Sequence, residues 1–299
     1  MHNLKEFTLS EPVLNLQTEF REQGYLFLRS FFPIDLVKQV RNRVIHILQL
    51  EGWGKSEKEK FFAIEPVRRI NSHSFYQCMS RLMQEELLHD LSEYPPLNWL
   101  LSALLGNPVF CHPQKMVRIT YPYSLNPKDL VPPHQDLFYV KGERDTFTAW
   151  IPLGDYLPEQ GGLQVASRTH KQGLFPTHQN DEGRFGCSAI KEHLTGFLWH
   201  KAHYRLGDLL IMHSLTLHRS SINEDAQFRL SLDCRFSSAL GSINENQLLP
   251  PYYPHVPCWK ILSHNWSNTN RFLLPSTIQV HKKEKELNEV LTTSTRFAE

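Results

Sequence analysis

The sequence predicts a mainly β protein, an antiparallel sandwich or barrel, with helices flanking it on the N-terminal side. From about residue 108 to 240, short apolar runs follow one another without intervening helices, separated by Gly, Pro and Asp turn signals. Before about residue 107, apolar residues recur instead at helical spacing. The length of 299 residues and an apolar share of 40% allow one large core. A single domain over 1–299 is therefore expected. Its parts are a helical N-terminal region (about 1–107), a β core (about 108–240) and a C-terminal extension (about 241–299).

In chain order, LNLQTEFREQGYLFLRSFFP reads as a helix followed by a short apolar strand, Tyr25 to Leu28. A second helix follows Pro33, with Leu36, Val40, Val44 and Leu48 at helical spacing and Gly52 as its stop. Residues 83–105 are helix-like, interrupted by Pro95-Pro96. These helices are expected to buttress a sheet and to carry no chemistry. KMVRITYP alternates, with Met116, Arg118 and Thr120 on one face and Val117 and Ile119 on the other. TFTAWIPL, LQVAS, DLLIMHS and RLSLDCRFS are further strands. Residues 169–205 form a long polar connection of the kind that often serves as a lid. Beyond about 240 the chain is Pro- and aromatic-rich, then ends in a charged, helix-like stretch, KKEKELNEVL.

Lys+Arg is 32 and Asp+Glu is 31, so nothing in the charge balance suggests nucleic-acid binding. Five dispersed cysteines without CxxC spacing point to reduced thiols and a cytoplasmic location. The first residues, MHNLKEFTLSEP, hold no secretory apolar segment, and no apolar run is long enough to span a membrane. TRFAE at the end is not a peroxisomal address. The expected partner is a small-molecule substrate, with no nucleic acid and no membrane.

His134-Gln135-Asp136 and the distant His218 are the chief chemical signal. On a strand, residues i and i+2 face the same way, so His134 and Asp136 can reach one metal together. His218 closes the apolar run DLLIMHSLTLH and can supply a third ligand from a neighbouring strand. Two imidazoles and one carboxylate suit Fe(II) and leave open positions for chemistry, unlike the thiolate-rich sets of structural zinc. A chain with 16 His makes chance HxD pairs common, so the downstream residues carry the weight.

In FRLSLDCRF the alternation puts Phe228, Leu230, Leu232 and Cys234 on one face and Arg229, Ser231, Asp233 and Arg235 on the other. An Arg facing the metal side can bind a carboxylate through two parallel hydrogen bonds. A 2-keto dicarboxylic acid requires that arrangement, with its keto oxygen and one carboxylate on iron and the distal carboxylate on Arg229. Ser220 can add a hydroxyl donor.

Taken together, these residues resemble the phytanoyl-CoA dioxygenase family, a branch of the Fe(II)/2-oxoglutarate oxygenases. The resemblance spans roughly residues 18–240. It includes FREQGYLFLRSFFP, HQDLFYVKGERDTFTAWIPLGD, GGLQVASRTHKQG, and GDLLIMHSLTLHRSSIN followed by FRLSLDCRF. It implies a double-stranded β-helix (jelly-roll, cupin-like) core with flanking helices. It implies Fe(II) held by His134, Asp136 and His218, with O2 and 2-oxoglutarate as co-substrates. The keto acid would be anchored by Arg229 and Ser220, with Trp150, Met116 and Thr120 as neighbours. The family's usual Pro-Gly-Ser-His is replaced here, in Ala166-Ser167-Arg168-Thr169-His170. Asp136 is present, so the ligand loss that marks iron halogenases is absent.

The reaction this implies is oxidation of a C–H bond, by hydroxylation or with dealkylation, releasing succinate and CO2. A small polar metabolite or natural-product intermediate is the expected substrate. Phe138, Tyr139, Arg144, Gln164, Arg168 and His170 are the candidate substrate contacts, because they lie beside the metal-bearing segments. An acyl-CoA is the alternative, but its basic patch would be only the loose Lys55, Lys58, Lys60, Arg68 and Arg69. Non-catalytic jelly-roll binding proteins and cupin-type isomerases are further alternatives. An isomerase leaves Arg229 and Ser220 unexplained, and a sensor is expected to have lost a ligand or the arginine.

Overall fold

Helices α1 (Val13–Gln23) and α2 (Ile34–Leu50) each begin directly after a proline, Pro12 and Pro33. A fixed φ and a missing N–H cost little at a helix start. The computed structural model describes residues 2–57, 60–64, 72–123, 130–179, 188–189, 196–268 and 271–281. Strands β1 (His2–Asn3) and β2 (Glu6–Phe7) precede α1, and β3 (Tyr25–Leu28) joins α1 to α2. A hairpin of β4 (Gly54–Glu57) and β5 (Lys60–Ala63) leads to α3 (His73–Met83), α4 (Glu86–Ser92) and α5 (Pro95–Leu105). The expected Pro95-Pro96 interruption is the start of α5, whose first turn leaves two N–H groups unneeded.

The long strand β6 (Val109–Thr120) starts the β core. It is followed by the one-turn helix α6 (Leu137–Val140), β7 (Phe147–Pro152) and β8 (Leu163–Ala166). The 169–205 connection is not wholly irregular. It holds a 3-10 turn at Thr169–Gln172, a ribbon of β9 (His178–Gln179) and β10 (Ser188–Ala189), and β11 (Trp199–Lys201). Residues 180–187 and 190–195 lie outside the described residues, and with them the question of a lid. β12 (Leu209–His213), β13 (His218–Ser220) and β14 (Arg229–Ser238) complete the core. The extension adds β15 (Ser242–Asn244), α7 (Trp259–Leu262) and β16 (Gln279–His281). The charged stretch KKEKELNEVL lies outside the described residues.

Two sheets result. The larger runs β2-β3-β12-β7-β14-β6 and the smaller β1-β11-β8-β13, mostly antiparallel, with parallel pairs at β2–β3 and β1–β11. The sheets are mixed and do not close into a barrel. Together they form the jelly-roll core expected above. Pro113, which has no N–H to give, lies in β6 where the register with β14 slips between Cys234 and Phe236.

The larger sheet is buried on both faces. Leu26, Ala149, Ile151, Leu209, Ile211, Leu230 and Leu232 join the core formed with the helices. Tyr25, Phe27, Trp150, Leu210 and Met212 face the smaller sheet, meeting Leu163 and Val165 of β8. Burial on both faces makes β3 and β12 continuous apolar runs rather than alternating ones. Each buried Leu here contributes about 2–5 kcal/mol, judged by truncation to Ala. Among the described residues no helix is long and apolar enough to cross a membrane. Cys78, Cys111, Cys234 and Cys258 carry free thiols.

Gly24 is the joint between α1 and β3. Its φ of 77° lets its N–H close the helix on the Phe20 carbonyl at 2.8 Å, and its own carbonyl accepts from His213 N and Thr216 Oγ1. A Cβ there would stand 2.3 Å from His170 Nδ1 and 2.6 Å from Thr216 Oγ1. Gly106 has the same φ of 77°, but a Cβ there would meet nothing within 4 Å. Gly106→Ala is expected to cost about 1–2 kcal/mol, from backbone conformation alone. Gly24→Ala is expected to cost about 1–3 kcal/mol more, from overlap. Urea unfolding of both variants checks this, and equal losses would contradict the packing described.

Candidate metal and 2-oxoglutarate site

β14 lies between β7 and β6, and its residues alternate as the sequence suggests. Phe228, Leu230, Leu232 and Cys234 enter the helix-side core. Arg229, Ser231, Asp233 and Arg235 face inward, all buried, opposite Thr120, Arg118 and Met116 on β6 and Pro152, Trp150 and Thr148 on β7. A cleft of about 780 Å³, part of it open to solvent, is lined by Arg229 and Asp233 of this row.

His134, Asp136 and His218 meet in this cleft, but not through a strand. His134 pairs with His218 in a single antiparallel bridge, N–H to carbonyl at 3.0 and 3.1 Å. Asp136 then takes helical backbone angles at the start of α6. The i, i+2 expectation is corrected accordingly: a bridge and a turn bring the two side chains together. Their ligand atoms and that of His218 lie within 4.8 Å of one another, and all three residues are buried.

The hydrogen bonds prepare each ligand. His134 Nδ1 is 2.8 Å from the Pro132 carbonyl, and His218 Nδ1 is 3.0 Å from the Thr216 carbonyl. A carbonyl only accepts, so both Nδ1 atoms carry the proton and both Nε2 lone pairs are left for a metal. The two Nε2 atoms stand 3.6 and 3.9 Å from Asp136 Oδ1. Asp136 Oδ2 accepts from Thr148 Oγ1 at 2.5 Å, and Arg235 lies 3.3 Å from Oδ1. Burial pushes the Asp136 carboxyl up, but the neighbouring Arg235 guanidinium outweighs it and holds the group well below the usual carboxylate range. Burial and neighbouring His134 push His218 down to about 4, so it is neutral and ready to ligate at pH 7. The donor set therefore fits a divalent iron.

At the other end of the cleft, the Arg229 guanidinium is clamped. Nε donates to the Gly161 carbonyl at 2.9 Å, one terminal nitrogen to Ser231 Oγ at 2.7 Å and the other to Ser220 Oγ at 3.3 Å. It lies 5.8 Å from the Trp150 ring. Trp150 Nε1 is buried, and among the described residues no acceptor meets it. A buried orphan donor beside an arginine fits the carboxylate of a keto acid.

A family model described as phytanoyl-CoA dioxygenase matches residues 20–231. The chain belongs to this family. It is accordingly an oxidoreductase, an iron- and 2-oxoglutarate-dependent oxygenase. It is 27% identical over 266 residues to 1-deoxypentalenic acid 11-beta-hydroxylase of Streptomyces exfoliatus, spanning 83% of this chain and 90% of that protein. It is 25% identical over 254 residues to the peroxisomal phytanoyl-CoA dioxygenase of Homo sapiens, spanning 78% and 71%. In fold it is similar to the epimerase SnoN, crystallised with Fe3+, alpha ketoglutarate and nogalamycin RO. That likeness has a TM-score of 0.57 at 18% identity and covers 77% of this chain and 85% of the other.

Of the residues expected beside the cofactors in this phytanoyl-CoA dioxygenase relative, Trp150, Thr120 and Ser220 line the cleft with Arg229. Met116 does not line it, and its sulfur accepts instead from the Tyr252 hydroxyl at 3.3 Å. The substrate expectations divide. The Tyr139 and His134 rings lie edge to face with centroids 5.5 Å apart, and Phe138 packs on Tyr139. Register places Gln164 away from the cleft. It pairs with Arg219 on the face of β8 opposite Val165 and His218, and accepts from Arg219 Nε at 2.8 Å.

Arg168 and His170 do not line the cleft, because their segment docks on the end of α1. Exposed Arg168 adopts φ 64° and donates its N–H to Gln23, taking the left-handed conformation that glycine accommodates most easily. His170 packs at Gly24, with Nε2 3.0 Å from the Arg21 carbonyl, and burial pushes it down to about 4. Arg144 does not line the cleft either. Its flanking carboxylates turn elsewhere, Glu143 to Ser242 and Asp145 to His213.

Sequence reasoning missed Thr148 and Arg235, which hold Asp136, and the Arg118–Asp233 pair. It also missed the apolar wall of the cleft, to which Trp53, Phe75 and Met79 come from the N-terminal region, between the helices read from the sequence. The alternation of β14 was signal enough for Arg235 and Asp233, whereas the wall has the spacing of ordinary core.

Thr148 fixes Asp136 without touching the metal position. Thr148→Val keeps the volume and removes the hydroxyl, and is expected to weaken metal binding about 10–100-fold. Calorimetric titration with Co(II) measures it, and unchanged affinity would contradict the role assigned to this bond.

Proposed function

We propose that this chain oxidises a C–H bond of a small metabolite or natural-product intermediate, consuming O2 and 2-oxoglutarate and releasing succinate and CO2. The observation that carries the reading is the polarity of one cleft: three converging metal-ligand atoms at one end and a clamped arginine at the other. Iron and the keto acid, when bound, supply the oxidising power for C–H cleavage.

The chain's own residues bind and orient. His134 Nε2, His218 Nε2 and Asp136 Oδ1 would hold the metal. Arg235 and Thr148 fix the Asp136 carboxylate. Arg229 takes the distal carboxylate of 2-oxoglutarate, with Ser220, Thr120 and the Trp150 N–H as neighbours. Buried walls exclude water from the reacting centre. The hydroxylase names of the Streptomyces relatives support hydroxylation as the outcome. A hydroxylated carbon that bears nitrogen or oxygen would collapse with loss of the substituent. The free thiols support a cytoplasmic location.

The test is succinate formation by purified protein in air. It is expected to require both Fe(II) and 2-oxoglutarate and to vanish in His218→Ala. In Arg229→Ala, loss of two charged hydrogen bonds of about 1.5 kcal/mol each raises the apparent KM for 2-oxoglutarate about 100-fold. Succinate formed equally without iron, or by His218→Ala, would contradict the proposal.

A further inference from the structure

We infer that Asp233 is the substrate-recognition residue of this cleft, taking a hydroxyl or ammonium hydrogen from a substrate whose apolar body lies against the Trp53–Phe75–Met79 wall. This rests on the cofactor reading above and adds the substrate class to it.

Asp233 lies on the inward face of β14, two residues from Ser231, which clamps Arg229, and two from Arg235, which holds Asp136. It is 7% exposed and lines the cleft. Its Oδ2 accepts from Arg118 Nε at 2.7 Å. Its Oδ1 is buried, and among the described residues no donor meets it. A buried carboxylate oxygen without a donor is costly, and in a ligand cleft the missing donor belongs to the ligand.

The bound co-substrate cannot be that ligand. 2-Oxoglutarate carries only acceptor oxygens, and an ionised carboxylate is an acceptor too, so the two repel. A metal would be served by three other ligands, Thr148 and one terminal nitrogen of Arg235 are taken up by Asp136, and the buried Arg235 Nε and Trp150 Nε1 do not meet Asp233 Oδ1 either. The remaining partner is the substrate, which must present a hydrogen-bond donor. Arg118 offsets the Asp233 charge, so a neutral hydroxyl satisfies Oδ1 as well as an ammonium does.

The rest of the lining describes the rest of that molecule. Trp53, Phe75, Met79, Val117, Tyr121 and Tyr252 bring an apolar and aromatic surface to the same cleft. A purely polar metabolite would leave this surface unused. A compact alicyclic or aromatic skeleton carrying a hydroxyl or an amine uses both surfaces.

Simple probes test this without knowing the natural substrate. Anaerobic protein loaded with Fe(II) and 2-oxoglutarate is titrated calorimetrically with cyclohexanol, cyclohexylamine, cyclohexyl methyl ether and cyclohexanecarboxylate. One of the two donor probes is expected to bind at least tenfold tighter than the ether, and the carboxylate weakest. Which donor probe wins distinguishes hydroxyl from ammonium recognition. Asp233→Asn is expected to lose that preference about tenfold while still binding 2-oxoglutarate.

Tightest binding of the carboxylate would overturn the inference and assign recognition to Arg118. Equal binding of ether and donor probes, no binding of any probe, or full selectivity in Asp233→Asn would overturn it as well. The wild-type comparison stands even if the variant fails to fold. Failure of 2-oxoglutarate itself to bind would instead sink the cofactor reading.

Discussion

Three charged side chains on one face of a single buried strand are the constraint around which this structure is organised. Arg229, Asp233 and Arg235 project from β14 into the space between two sheets. Removing such groups from water costs several kcal/mol each unless partners replace the lost hydration. The surrounding elements supply those partners. Gly161 and Ser220 meet Arg229, Arg118 from β6 meets Asp233, and Asp136 meets Arg235. Buried charges of this kind are weak contributors to stability, so the row is better explained by chemistry than by folding.

The same row gives the cleft a direction. One end concentrates donors for an anion and the other concentrates lone pairs for a cation. The ends are joined through neighbouring β14 positions, so the spacing between metal and keto-acid anchor is set by backbone geometry. Long-range pairing builds the metal end. The His134–His218 bridge brings the two imidazoles together, with ring centroids 4.2 Å apart, and two backbone carbonyls fix their tautomers. Helices α1–α5 hold the outer face of the larger sheet in a dry core, which keeps its inner face fixed.

The sequence was most legible where side-chain period follows from one strand alone. The two-residue alternation of β14 and β6 placed Arg229, Arg118 and Thr120 correctly, because both strands are half core and half cleft. Helix-period spacing likewise located α1 and α2. Legibility failed where pairing decides. Gln164 faces away from His218 because β8 pairs with β13 in a register no local pattern reveals. The HxD spacing pointed to residues that do converge, but through a strand that is absent, since Asp136 begins a helical turn. The place of Arg168 and His170 was likewise hidden, because their segment docks on the end of α1. The apolar wall was invisible for another reason: Trp53 and Phe75 are spaced like any core residues, and only tertiary packing brings Tyr252 beside them.

The central claim is that His134, Asp136, His218 and Arg229 form one binding unit for iron and 2-oxoglutarate. The most direct measurement is anaerobic titration of Fe(II) and 2-oxoglutarate, watching for the weak visible band of an iron-bound keto acid. The account expects the band in the wild type, its loss in Asp136→Ala and its appearance only at much higher keto acid in Arg229→Ala. A folded, iron-loaded wild-type protein that shows no band would contradict it.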